Sequence, residues 1–346
     1  MRAVTSRSPY PVDLVCLGES MVALRPDRPT SLAGAELFAR GVGGAESNVA
    51  CALAAAGHTV RWISRLGADG FGDHLLATVA AAGVDTTWVD RDPDRPTGVY
   101  FRTDGERGAT LEVAYYRAGS AASALCPANV DPAAADSGRV LHLTGITPAL
   151  SDGCLDLVRE LTAPRPARPL VSFDVNYRAD LWRGRDPALL RDLAARADLV
   201  FVGADEAAHA WGTRACPHAV RRALPEPATL VVKEGGRGAT VLTAGTRPEV
   251  VHVPAPRVDV VAPVGAGDAF AAGYLSATLR GLPLPLRLRH GHLAAAAALT
   301  VPGDHAGPPP RALVERLAAL DDPTWATLRL ARDWATAENT PEGSPS

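Results

Sequence analysis

Apolar positions along this chain gather into short runs that end at or near glycine, separated by longer stretches in which apolar residues recur at helical spacing. Residues 13–18, DLVCLG, predict a buried strand, and the Ala-rich stretch from Ala45 to Ala56 predicts a helix closed by Gly57. VRWIS at 60–64 predicts the next strand, and Gly72 to Ala82 the next helix, closed by Gly83. The unit returns in PLVSFDV at 169–175, in a helix over 189–197, in ADLVFVG at 197–203 and in TLVVKEGG at 229–236. Strands that alternate with helices predict an α/β fold, with a doubly wound, mostly parallel sheet covered on both faces.

One region breaks this rhythm. Between about 95 and 118, TGVYFRT and TLEVAYYRA alternate in side-chain character around Asp104-Gly105, a hairpin turn signal. An antiparallel insert is expected there, either a cover over a ligand site or an edge hairpin without a role. At this length the chain fits either two domains or one large α/β domain. Residues 1–12 read as a disordered tail, and 319–346 as a helix followed by another.

Composition narrows the function classes. The 346 residues carry 35 Lys+Arg against 38 Asp+Glu, a formal net charge of -3, which argues against nucleic acid as the main partner. With 47% apolar residues the chain buries a substantial core, so disorder as the main state is excluded. Five cysteines without a C-x-x-C pair speak against both a disulfide framework and a zinc knuckle, and fit a reducing cytoplasm. The first residues lack the apolar run of a secretory signal, and the longest apolar stretch, 293–301, is about half a membrane span, so no membrane partner is expected.

The candidate chemistry is reached by elimination. The sole lysine is Lys233, in Val-Lys-Glu, so a Walker-type Gly-Lys-Ser/Thr cradle is absent. Gly41-x-Gly43 and Gly265-x-Gly267 meet Glu46 and Phe270 where a dinucleotide fingerprint needs its third glycine. What remains is Val264-Gly265-Ala266-Gly267-Asp268-Ala269-Phe270, which leads from the apolar VDVV into an amphipathic helix. Its glycines turn backbone N–H groups toward one point at a helix N-terminus, where free donors and the helix dipole favour an anion. Asp268 at that mouth suits a general base for an attacking hydroxyl, and equally a simple helix cap. His290 and His292 lie two apart in a helical pattern and share no face, which argues against a metal site.

VGAGDAFAAGY resembles the C-terminal signature of the ribokinase-like, phosphofructokinase B type carbohydrate kinases, and Gly43-Gly44-Ala45-Glu46-Ser47-Asn48-Val49-Ala50 resembles their N-terminal one. Within that family, YYRAGSAAS at 115–123, DVNYR at 174–178 with Leu181-Trp182, and Gly303-Asp304-His305 look like 2-keto-3-deoxygluconate kinases. The resemblance covers roughly 13–318 and implies a single ribokinase-like domain there with β lid elements near 34–42 and 95–118, and ATP-dependent phosphorylation of the sugar acid at its 6-hydroxyl. It makes Asp268 the base, the Gly265, Ala266 and Gly267 backbone the anion hole, and Mg²⁺ the companion of the nucleotide. It assigns Gly44, Tyr100, Tyr115, Arg117 and Arg178 to the substrate, with Asn48 as a further contact or only a local backbone partner. Lys233, Gly235 and Gly238, with Gly265 and Gly267, fall to the nucleotide.

A substrate carboxylate needs a fixed cation, and Arg offers two parallel hydrogen bonds, although an Arg often only pairs with a surface acid. The alternatives are a kinase for a neutral sugar such as fructose or ribose, and a catalytically silent sugar-acid sensor on the same fold. Homo-oligomerisation through the lid is a further expectation from the resemblance. Two departures stand out. Ala262 occupies the place of an aspartate that many relatives associate with a monovalent cation, so the resemblance carries no such site over. Ala204-Asp205 replaces an Asn-Glu pair linked to metal, with Glu206 next along, which leaves the metal ligands unassigned.

Overall fold

The computed structural model of the protein describes residues 10–103, 112–262, 264–300, 309–332 and 334–335. The Asp104-Gly105 turn, Pro263, the Gly303-Asp304-His305 stretch and most of both expected tails lie outside the described residues.

Apolar side chains that point to both faces of a strand can be buried only in the interior of a helix-covered sheet. The runs of Val, Leu and Phe accordingly become the inner strands of a nine-stranded sheet. Its spatial order is Val250–Val253, Ala239–Thr243, Thr229–Lys233, Leu199–Gly203, Leu170–Asp174, Gly138–Thr144, Val12–Leu17, Val60–Gly67 and Asp85–Asp92. All neighbours pair in parallel except at the Val250–Val253 end, where the last two strands turn antiparallel. One buried cluster on one face joins Leu14, Trp62 and Phe201 to Phe270 and Tyr274, and the other face gathers Val15, Phe173, Val200 and Trp182.

Helices follow the strands. Gly70–Ala81 starts where Asp69 accepts a hydrogen bond from the Gly72 N–H at 2.8 Å, and Pro187–Ala195 where Asp186 accepts from the Ala188 N–H at 2.9 Å. The fold is the doubly wound α/β arrangement expected from the alternation.

Among the described residues, several strands lie outside the elements anticipated from pattern, among them Asp85–Asp92 at the far edge of the large sheet. Gly138–Thr144 sits in the middle of the sheet although Arg139 and His142 interrupt its apolar run. His142 is fully buried there beside the Ser172 hydroxyl at 3.0 Å, and burial pushes it down to about 3, so it is a neutral core group. Ala239–Thr243 and Val250–Val253 extend the sheet edge. Met21–Pro26 joins a second sheet, of order Phe38–Gly43, Met21–Pro26, Val99–Arg102 and Val113–Tyr116. Val99–Arg102 and Val113–Tyr116 pair antiparallel, and Met21–Pro26 bridges them to Phe38–Gly43. Where a C-terminal helix was expected, a five-residue helix, Asp322–Ala326, precedes a two-residue strand, Arg329–Leu330, paired with Arg257–Val258.

Candidate active site

In an open parallel sheet, ligands bind beyond the C-terminal ends of the strands near the point where strand order reverses. Here Val12–Leu17 leads outward to Val60–Gly67 on one side, and Gly138–Thr144 opens the series on the other. A cleft of about 1100 Å³ opens above those strand ends, between the central sheet and the small one. It is lined by all thirteen residues singled out from the sequence: Gly44, Asn48, Tyr100, Tyr115, Arg117, Arg178, Lys233, Gly235, Gly238, Gly265, Ala266, Gly267 and Asp268.

The turn before the helix Ala266–Leu279 is left-handed at Gly265, with φ 80°, a conformation that costs other residues strain. No side chain caps this helix. Asp268 instead reaches across the fold, accepting from the Asn48 Nδ2 at 2.8 Å and the Asn176 Nδ2 at 3.3 Å. The cap reading therefore gives way to a carboxylate held by two amides from distant segments. Asn176 takes part from the left-handed region, with φ 41°. Burial pushes Asp268 up to about 6 against the lowering effect of the Asn48 amide, with Asp174 adding to the rise and Lys233 and Arg178 opposing it.

Asn48 thus meets the carboxylate of Asp268 while also lining the cleft. Gly44 faces the cleft too, but its lack of a side chain is required by the backbone. A Cβ there would stand 2.4 Å from the Glu19 carbonyl oxygen and 2.8 Å from the Ser20 Cα. Lys233 donates to both oxygens of Asp174, at 3.0 and 2.9 Å. Burial works against its charge, yet Asp174 and Glu206 outweigh that and the ammonium is held above its ordinary value.

The two arginines differ. The Arg117 guanidinium is engaged by Glu19, a fully buried carboxylate that also accepts from the Ser120 hydroxyl at 2.5 Å. Arg178 keeps 52% of its side chain exposed and lies 3.7 Å from Glu206. Tyr100 and Tyr115 face each other across the lid strands, ring centroids 5.7 Å apart, with Tyr100 buried and Tyr115 exposed.

Glu19 and Asn176 line the cleft while Asp174 and Glu46 are buried, and the sequence assigned none of them a role, although Asp174 and Asn176 belong to DVNYR and Glu46 to the Gly43–Ala50 signature. Glu19, Asp174, Asn176 and Glu46 act through contacts with residues dozens of positions away. Glu46 stands inside the Ala-rich helix, and its burial is seen only in the structure. Its Oε1 accepts from the Thr144 and Thr147 hydroxyls, both at 2.8 Å, and burial pushes it up to about 7. Pro256, Val258, Ala295, Ala296 and Leu299, together with His292, give the cleft an apolar wall. His292 packs on Phe270 and hydrogen-bonds the Val253 carbonyl, while His290 contacts Arg280, so both are packing residues. Ala262 is buried, its N–H directed to the Leu299 carbonyl. No group of three or more His, Cys, Asp or Glu suited to a metal occurs among the described residues.

The model of the pfkB family of carbohydrate kinases matches residues 12–311. This chain belongs to that family. As a pfkB carbohydrate kinase it is 34% identical over 313 residues to the 2-dehydro-3-deoxygluconokinase of Bacillus subtilis, covering 89% of this chain and 95% of the relative. A PfkB protein from Polaromonas shares 38% identity at a TM-score of 0.75, with 83% of this chain and 95% of that one aligned. The aminoimidazole riboside kinase of Salmonella enterica, whose structure holds aminoimidazole riboside and an ATP analogue, aligns at 25% identity and a TM-score of 0.73. That alignment covers 89% of this chain and all of the other. The ribokinase-like fold and kinase chemistry inferred from the two signatures are those of the family. Among the described residues, no helix of this kinase is long and apolar enough to cross a membrane.

Proposed function

We propose that this kinase transfers the γ-phosphoryl group of ATP to the 6-hydroxyl of a 2-keto-3-deoxy aldonate, 2-keto-3-deoxygluconate being the first candidate. The observation that carries the reading is the meeting, in one cleft, of an amide-held carboxylate, an anion-binding turn and an available cation at Arg178. Asp268 takes the hydroxyl proton as the sugar oxygen forms its bond to phosphorus and the bond to the ADP leaving oxygen breaks. The backbone of Gly265, Ala266 and Gly267 receives the charge on the transferring group, and Lys233 stands beside it. The apolar wall near His292 takes the nucleobase. Gly235 and Gly238 border the nucleotide side.

Mg²⁺ usually keeps several waters and is bound by phosphates with one or two carboxylates, so a cleft without a dedicated metal cage suits it. Glu206 and the exposed Asp205 are the carboxylates on that side. The ion supplies charge neutralisation to the phosphates.

Arg178, being partly free of its carboxylate neighbour, is the residue to meet the sugar's carboxylate. A second reading, a kinase for a neutral sugar, is favoured by the Glu19 contact, which already neutralises Arg117. Steady-state kinetics with ATP and Mg²⁺ separate the two. The sugar-acid reading expects kcat/KM for 2-keto-3-deoxygluconate to exceed that for fructose or ribose, and Arg178→Ala to lower it about tenfold while neutral-sugar use is unchanged. Preference for fructose or ribose refutes it, and the absence of any turnover favours a sugar-acid sensor.

A further inference from the structure

Three neighbouring strands end at the floor of the cleft. Leu199–Gly203 runs between Leu170–Asp174 and Thr229–Lys233, with Asp174 level with Phe201 and Lys233 level with Gly203. Lys233 reaches over the middle strand to hold both oxygens of Asp174, which is 1% exposed. A Cβ added at Gly267 would lie 3.6 Å from the ammonium nitrogen, so that charge stands against the first turn of the helix, one residue from Asp268.

A buried ion pair of this kind contributes little net stability compared with an apolar pair of the same size. Every other permanent side-chain cation in the chain is arginine. Lysine differs in carrying a compact point charge on a flexible stem, suited to a phosphoryl oxygen rather than to a planar fork. The reason for the pair lies in its position.

We propose that Asp174 is a positioning residue: it holds the Lys233 ammonium against the anion-binding turn, and the two opposite charges together leave Asp268 free to act as a base at neutral pH. The inference rests on the reading of Asp268 as that base. The charged groups facing Asp268 are Asp174, Glu46, Lys233 and Arg178, with Asn48 and Asn176 as its neutral partners and Glu206 facing Lys233. Removing Lys233 leaves the negative charge of Asp174 beside Asp268 and disfavours its ionisation. Removing the charge of Asp174 leaves the ammonium alone and favours it. A pair that served only to brace the strands would not move the titration of Asp268 in opposite directions.

The test is the pH dependence of kcat/KM, with ATP, Mg²⁺ and 2-keto-3-deoxygluconate, for Lys233→Met, Asp174→Asn, the double variant and Asp268→Asn. The acid limb is expected to move up by about one pH unit in Lys233→Met, down by about one in Asp174→Asn, and back near the wild-type position in the double variant. In Asp174→Asn, kcat should fall about 10²-fold while the sugar KM stays within a few-fold. Limbs that stay fixed or move the same way in folded variants overturn the proposal. Where Asp174→Asn does not fold, Lys233→Arg takes its place: it must keep the limb at the wild-type pH while Lys233→Met shifts it, and an equal shift in both overturns the proposal. Asp268→Asn separates the levels. If it keeps turnover and the acid limb, the base reading falls and this inference with it; if it loses both while the pair variants leave the limb fixed, only this inference falls.

Discussion

The floor of the cleft and its lid are built by opposite means. On the floor, each carboxyl group that matters is fixed by partners from other strands or helices: Asp268 by Asn48 and Asn176, Asp174 by Lys233, Glu46 by Thr144 and Thr147. All of them stand on elements anchored in the two large buried clusters. The lid is a single four-stranded sheet whose own buried apolar cluster is Met21, Ala23 and Tyr100, and it leaves Val113, Tyr115 and Tyr116 exposed. Charge that must be ready before the reaction is placed where the packing is densest, because dipoles that need not reorganise stabilise a transition state best. On the proposed function, the surface that meets the sugar is left on a thin sheet with few buried contacts. Arg117 belongs to the lid by sequence but to the floor by contact, since its partner Glu19 follows the strand Val12–Leu17.

The largest effect should come from the floor. Asp268→Asn is expected to lower kcat by roughly 10²–10⁴ with sugar binding largely kept, measured by steady-state kinetics and calorimetry. In the wild type, kcat/KM should decline as pH falls through about 6, where Asp268 gains a proton. A profile flat down to pH 5 would mean that a different group sets the rate.

The two arginines sharpen the comparison. Arg117→Ala leaves Glu19 buried without its cation, held only by the Ser120 hydroxyl, and should cost about 3–5 kcal/mol of stability in denaturant unfolding. Arg178→Ala, at a half-exposed site, should change stability by less than about 1 kcal/mol and act on sugar-acid kinetics instead. Equal stability losses in the two variants would erase the distinction drawn between them.

Glu46 offers a smaller effect with a definite sign. Its folded value of about 7 lies above the ordinary carboxylate value of 4.5, so the folded state binds the extra proton between those limits. Stability from this group is therefore lost as pH rises through that window. Glu46→Gln should raise Tm at pH 8 and leave it nearly unchanged at pH 4.5. The smallest effect is expected in the lid, where Tyr115→Ala should raise the sugar KM a few-fold with little change in Tm, because the ring is half exposed.

The order of chemical groups along the chain determined the fold class and the general place of the site. Runs of Val, Leu and Phe fit only a helix-covered parallel sheet, and Gly265-Ala266-Gly267, at the start of a helix, presents free N–H donors whatever surrounds it. Those are properties of neighbouring residues, so they can be read locally. The central strand Gly138–Thr144 escaped that reading because Arg139 and His142 are polar by type, and only packing makes the His142 ring a core group that stays neutral well below its ordinary value. Met21–Pro26 escaped it because its partners come from both sides of an intervening helix pair.

At the site, tertiary structure alone decided what each charge does. Nothing near position 268 announces that Asn48 and Asn176 will hold its carboxylate, 220 and 92 residues away in the chain. Nothing near 117 announces Glu19, nor near 233 Asp174. The physical reason is that ionisation depends on the solvent excluded and the charges brought within a few ångströms, and for these groups both are set by long-range packing. The residue types and their spacing supplied a base, a cation and an anion-binding turn; the fold determined which of them face one another.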